Sequence, residues 1–359
     1  MKNRPVSRRT KRFILALTII LGLPLISLFS WAQESKELVI CTYGGTAQEC
    51  EKKAFFEPFE KLTGIKIIAT SPPYPAKIKS QVMTKNVEWD LFAGGPGVHG
   101  TLSREGCLEK IDYSQLSKEI LEDIPKSVQL PDAIGFYYFS DVIAYRTDVF
   151  PKGKGPKNCK DFWDVKTFPG PRSLHSAGVT GTQLEFAIMA DGVPKEKVYP
   201  IDLERAFKSF DRIKPHVAKW WKDGAEPAQM LTDKEAVMVT SFNGRIEILQ
   251  KQGVPVEIEW NEGQLWPLYL NIVKGARNYK NALRFLNFAL QPKPQADFAN
   301  LIAYGPVSAK SFQFISAERA KTLPTSPENR AKQLEIDRLW YAENMTRVME
   351  YWNNWILQK

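Results

Sequence analysis

Two kinds of apolar periodicity alternate along this chain. Leu38-Val39-Ile40-Cys41-Thr42 is a short run of β character that halts at Gly44-Gly45. Apolar positions at helical spacing follow at Phe55, Phe56, Phe59 and Leu62, and Thr63-Gly64 closes that helix. Ile65 to Ala69 then resumes a strand. A strand, a helix and a second strand in this order predict parallel pairing with a right-handed crossover. The alternation continues with a helix near Tyr74 to Lys85, a buried strand Asp90-Leu91-Phe92-Ala93 and a loop Gly94-Gly95-Pro96-Gly97.

A second series begins at the strand Asp141-Val142-Ile143-Ala144-Tyr145. After a Lys-, Gly- and Pro-rich stretch from Phe150 to Pro171, with a short helical piece at Asp161 to Asp164, helices fit Gln183 to Ala190, Asp202 to Ile213 and Pro215 to Asp223. Strands fit Ala236 to Thr240 and Trp266 to Val273. A strongly amphipathic helix fits Asn278 to Leu290, with Ala282, Phe285, Leu286 and Ala289 on one face. The tail from Pro327 to Leu357 reads as largely helical, and Trp340, Trp352 and Trp355 are assigned to packing because they recur at helical spacing on one terminal element. The whole is an α/β chain, with no internal repeat and no low-complexity tract.

Length and charge narrow this picture. Six cations and no acid precede an apolar run of 17 residues, Phe13 to Phe29, and Ser30-Trp31-Ala32 places small residues before Gln33. That pattern predicts a signal peptide over residues 1–32, cleaved after Ala32, with a membrane anchor as the alternative. Cleavage removes six of 49 cations, leaving 43 against 40 acids, so the formal +9 falls to about +3. A near-balanced mature surface gives no reason to invoke nucleic acid, whose binding would need a clustered basic face. The four cysteines, Cys41, Cys50, Cys107 and Cys159, show no CxxC spacing. In an exported protein they permit three disulfide pairings, of which Cys41 with Cys50 closes the shortest loop, or else they are buried free thiols. No cofactor motif is present. His99, His175 and His216 show no paired metal-ligand spacing, so no metal is expected, although His99 and His175 follow strand ends and can face a cleft.

Several segments in a fixed order carry a resemblance: Tyr43-Gly44-Gly45-Thr46, Phe55 to Lys66, Trp89-Asp90-Leu91-Phe92, Phe168 to Leu174, Phe242-Asn243-Gly244-Arg245, Trp266, Ala282 to Phe288 and Tyr304-Gly305-Pro306-Val307. In these the chain resembles the bacterial extracellular solute-binding proteins of the spermidine/putrescine type, which serve ABC importers. The resemblance implies a two-lobed type II periplasmic-binding-protein fold joined by crossover strands, with a small ligand held between the lobes and delivered to an ABC permease in the inner membrane. It places one lobe at residues 37–140 plus 266–314, the other at 141–265, and a C-terminal helical segment at 315–359. A periplasmic monomer without enzymatic activity is the expectation.

Ligands of α/β sheets bind at loops that follow strand carboxyl ends. The candidate ligand-binding residues are therefore Tyr43, Gly44, Gly45, Thr46, Gly94, Gly95, Tyr138, Ser176, Thr180, Phe242, Asn243, Arg245, Trp266 and Tyr304. Glycines admit close backbone approach, and Tyr43, Tyr138, Phe242, Trp266 and Tyr304 are expected as ring walls. The polyamine pattern fails at its acids. Where that resemblance implies carboxylates, this chain carries Ser176 to Thr180 and Leu268, so a buried diammonium ligand would lose its counter-charges. Arg245 instead suits a carboxylate, and Asp141 or Glu185 can serve one amino group, which favours an amino-acid-like zwitterion. Arg245 bound to Glu247 or Asp141 as a structural pair is the alternative. Two rival classes remain: a two-lobed enzyme of the thiamin-degrading type with a cysteine nucleophile, and a receptor whose closed form docks on a sensor.

Overall fold

The computed structural model describes residues 35–177 and 183–358; the expected signal peptide and Thr180 lie outside them. Eleven strands run in chain order as β1 (Glu37–Cys41), β2 (Lys66–Thr70), β3 (Leu91–Gly94), β4 (Gln129–Leu130), β5 (Ala133–Arg146), β6 (Arg172–His175), β7 (Val217–Trp221), β8 (Met238–Phe242), β9 (Val256–Ile272), β10 (Gly305–Pro306) and β11 (Leu334–Glu335). They form one sheet of order β2-β1-β3-β9-β5-β8-β6-β7, with β4 and β10 on β5 and β11 on β9. The parallel pairing of β1 with β2 is the one the opening strand-helix-strand pattern predicts.

β5 and β9 hold the sheet together. These long strands are antiparallel to each other, and each serves two neighbourhoods. Residues 269–272 of β9 pair with β3, whereas Asp141 to Tyr145 of β5 pair with β8. The expected lobe boundaries near residues 140 and 265 thus fall inside these two strands, where the ladder passes from one neighbourhood to the other. The protein has the two-lobed α/β fold expected from its sequence.

Each half buries its own aromatic core. In the first, Phe55 and Phe59 meet Phe136, Phe285 and Phe298. A π-helical turn, Lys52–Phe56, interrupts the first long helix and buries the adjacent Phe55 and Phe56 together. In the second, Phe207 and Phe210 pack against Trp220, Trp352 and Trp355. The terminal helix Arg338–Ile356 supplies those last two rings, and also crosses the helix Pro96–Arg104 of the first half.

Three expected elements differ. Pro215 to Asp223 is not a helix. Pro215 lies in a short 3-10 turn that ends the helix Leu203–Ile213, and β7 then pairs in parallel with β6. Trp221 holds it there, with its indole N–H donating to the Thr240 carbonyl at 2.9 Å and its ring stacked on His175 at 3.9 Å. β9 begins at Val256 rather than Trp266 and β5 at Ala133 rather than Asp141, whereas the tail is largely helical as expected, with the two-residue β11 between its helices.

Candidate functional site

In the first half, β1 ends at Cys41 and the chain turns through Tyr43, Gly44 and Gly45 into the helix Gly45–Glu51. Gly44 and Gly45 adopt φ of 77° and 59°, a region that disfavours side chains, and a Cβ on Gly44 would lie 2.9 Å from Ser71 Oγ. Tyr43 is 36% exposed. β3 ends at Gly94. Gly95 precedes the helix Pro96–Arg104, and a Cβ there would meet open space.

The second half answers with β8 and the helix Asn243–Lys251 that follows it. Arg245 Nη1 donates to Thr46 Oγ1 at 3.4 Å, and Nη2 lies 3.6 Å from the Cβ position of Gly45. The two halves therefore meet at the Gly-rich turn. Glu247 is not the partner of Arg245, because it is held by Arg319, Lys251 and the Ala303 N–H. Among the described residues no carboxylate pairs with Arg245.

An aromatic wall adjoins this contact. Phe139 lies parallel to Trp266 at 6.5 Å, edge-on to Phe242 at 5.3 Å, and 6.0 Å from Tyr304. Tyr304 stacks on Tyr137 at 5.6 Å, and it lies so close over Gly244 that a Cβ there would come within 2.7 Å of its ring. Phe242, Trp266 and Tyr304 thus share one neighbourhood. Tyr138 does not join them. Successive strand residues face opposite ways, so Tyr138 leaves the face of Tyr137 and Phe139 and lies under the Arg330 guanidinium, 5.4 Å away. Phe139 is the strand residue that contacts the other three rings.

Two further candidates have their polar atoms engaged within the protein. Asn243 is fully buried, its Oδ1 accepting the Ser140 N–H at 2.9 Å while its amide donates to the Ala303 carbonyl. It braces β8 against β5 and the approach to Tyr304. Ser176 turns its hydroxyl to the carbonyl of Ala177, and its N–H donates to Trp221.

Beneath Phe242 lies a buried polar cluster. Asp141 Oδ2 accepts from Gln183 Nε2 at 3.0 Å and stands 3.6 Å from His175 Nδ1. Glu185, two residues after Gln183, accepts from Gln264 at 2.9 Å, from Tyr199 at 2.6 Å and from Tyr341 at 2.7 Å. Burial pushes the Glu185 carboxyl up to about 7, against its hydrogen bonds from Tyr199 and Tyr341. The signal for this cluster was a lone acid inside an apolar strand, Asp141 in Phe139-Ser140-Asp141-Val142-Ile143. Gln183 and Gln264 carried no signal of their own. His99 is elsewhere, bonded to Asn271 at 2.9 Å with Asp132 at 3.5 Å. Among the described residues no cluster of potential ligands could hold a metal, and no helix is long and apolar enough to cross a membrane.

Residues 54–328 match the family model described as bacterial extracellular solute-binding protein. This chain belongs to that family. It is 31% identical to the gamma-aminobutyric acid-binding protein of Pseudomonas aeruginosa over 90% of its length and 91% of that protein's. The spermidine/putrescine-binding periplasmic protein of Escherichia coli is more distant, 24% identical over 76% of this chain and 79% of its own. A solved GABA receptor, Atu4243, superposes with a TM-score of 0.82 at 31% identity, covering 90% of this chain and 98% of that one.

Proposed function

We propose that this solute-binding protein captures an amino-acid-like zwitterion between its lobes, residues 37–140 with 266–314 against 141–265, and delivers it to an ABC permease. The observation that carries the ligand assignment is Arg245. Its guanidinium stands at the meeting point of the two halves, without a carboxylate partner among the described residues, beside the Gly44–Gly45 turn and Thr46. A ligand carboxylate placed there accepts from the guanidinium and from groups of the opposite lobe at once, so that binding favours the closed state. The relatives named for GABA support a carboxylate-bearing amine over a polyamine. Phe139, Phe242, Trp266 and Tyr304 supply the apolar wall for the carbon chain between the charges.

The cysteine-nucleophile alternative runs against burial. Desolvation pushes the Cys41 thiol up to about 12 and raises Cys50, Cys107 and Cys159 as well, which suppresses thiolate in every case.

Thermal-shift and calorimetric titration with GABA, other amino acids, putrescine and spermidine tests the ligand class. Amino acids are expected to stabilise the protein, and Arg245→Ala is expected to weaken them about 10- to 100-fold, the worth of a charged hydrogen bond. Tight polyamine binding that survives Arg245→Ala would overturn the reading.

A further inference from the structure

We infer that Asp141, Gln183 and Gln264 form a receptor for a primary ammonium group, so that the ligand must carry –NH3+ and not a carboxylate alone. This rests on the amino-acid reading above and assigns its second pole.

The geometry is a closed ring. Asp141 faces Gln264 across the β5–β9 ladder and Phe242 across the β5–β8 ladder. Gln183 donates to Asp141, Gln264 donates to Glu185, and Glu185 lies two residues after Gln183. Each glutamine thus spends its NH2 on a carboxylate. That fixes the amide orientation, because a reversed amide would set its oxygen against a carboxylate oxygen. What remains is uniform: Asp141 Oδ1, Gln183 Oε1 and Gln264 Oε1 are acceptors without a hydrogen bond, on side chains no more than 1% exposed.

Buried acceptors left without donors are costly, and a native protein keeps several together where something else completes them. Three acceptors carrying one negative charge match a group with three donors, one positive charge and no acceptor. A primary ammonium is that group. A trimethylammonium offers charge but no N–H, and a water molecule offers only two donors while adding acceptors of its own. Glu185 has both oxygens engaged by Gln264, Tyr199 and Tyr341, so it holds the ring in place while Asp141 supplies the charge. The half-buried Phe242 and Phe139, on the same sheet face as Asp141, stand between this ring and Tyr304, whose electrostatic neighbours include both Arg245 and Asp141. The proposed ammonium and carboxylate sites thus flank the same group of aromatic rings.

The test is calorimetry on the full mature protein with GABA, 5-aminovalerate, the standard amino acids, butyrate, 4-(trimethylammonio)butyrate and butylamine, alongside Asp141→Asn, Gln183→Met and Arg245→Ala. At least one primary amino acid is expected to bind at least ~30-fold more tightly than its deaminated or trimethylated counterpart. Asp141→Asn is expected to erase that preference while leaving the ligand-free melting temperature unchanged or raised, because it removes a buried charge. Gln183→Met is expected to weaken the preference in the same direction and guards against misfolding of the first variant. Equal affinity for amino and deaminated ligands overturns the inference while leaving the carboxylate reading intact. Failure of Arg245→Ala to weaken amino-acid binding, with the ammonium preference still sensitive to Asp141→Asn, overturns the carboxylate site alone. A lower melting temperature in Asp141→Asn with unchanged affinity makes the ring structural and overturns the inference, as does binding of none of these probes.

Discussion

Gly100 and Ala342 touch where the helix Pro96–Arg104 crosses the helix Arg338–Ile356: a methyl on Gly100 would come within 2.7 Å of Ala342 Cβ and 3.1 Å of its Cα. The close approach lets a helix anchored in the second half lie flat on a helix of the first. Gly100→Ala is expected to destabilise the protein by about 1–3 kcal/mol through overpacking, reduced by up to ~1 kcal/mol of gained helix propensity. Urea denaturation checks this, and adding Ala342→Gly should recover part of the loss.

Trp355 packs against Phe207, Phe210, Trp220 and Trp352, and its indole N–H donates to Asp211 at 2.7 Å. Trp355→Ala is expected to cost about 3–5 kcal/mol of stability. Ligand affinity, measured below the lowered melting temperature, should stay within twofold of the parent.

Two buried carboxyls set a pH dependence. Glu51 and Glu185 are both pushed by burial up to about 7 from an ordinary value near 4.5. An acid whose folded pKa is raised binds its proton more tightly when folded, so its contribution is most favourable below pH 4.5 and declines as the pH rises to about 7. Each contributes a decline on the order of 3 kcal/mol at most. Unfolding midpoints between pH 5 and 7 should therefore fall with pH, and Glu185→Gln should flatten that slope.

The four cysteines are unpaired thiols in the structure, so the disulfide pairings left open by the sequence are not made. With Cys41, Cys107 and Cys159 buried, native protein should react slowly with a thiol reagent, Cys50 first, and release all four thiols on denaturation. Fewer than four in denaturant without reductant would show a disulfide.

Much of the fold was legible because strand and helix periodicity differ, and because Gly44, Gly45, Gly94 and Gly95 mark strand ends. The site was legible only in part. In Phe136-Tyr137-Tyr138-Phe139 every position is aromatic, so alternation alone does not reveal that Phe139, and not Tyr138, shares a face with Phe242, Trp266 and Tyr304. Asn243 looked available because the Ala303 carbonyl it binds lies 60 residues away, and Arg245 meets Thr46 across 199 residues. Asp141 announced itself as a charge in an apolar strand. Gln183 and Gln264 acquire meaning only from the carboxylates that orient them.

β9 occupies the slot between β3 and β5, and this imposes an order of assembly. As the chain emerges amino end first, β1, β2 and β3 can pair with one another, yet β3 keeps an open edge until residues 269–272 arrive. Residues 141–265 have no such debt: β6, β7 and β8 and the inner portions of β5 and β9 find their principal partners within that stretch. The ladder of residues 141–265 can form while β3 is still open, but the aromatic core on it waits for Trp352 and Trp355, so in pulsed hydrogen exchange its strand amides should gain protection before those of the helix Leu203–Ile213 that packs on these rings.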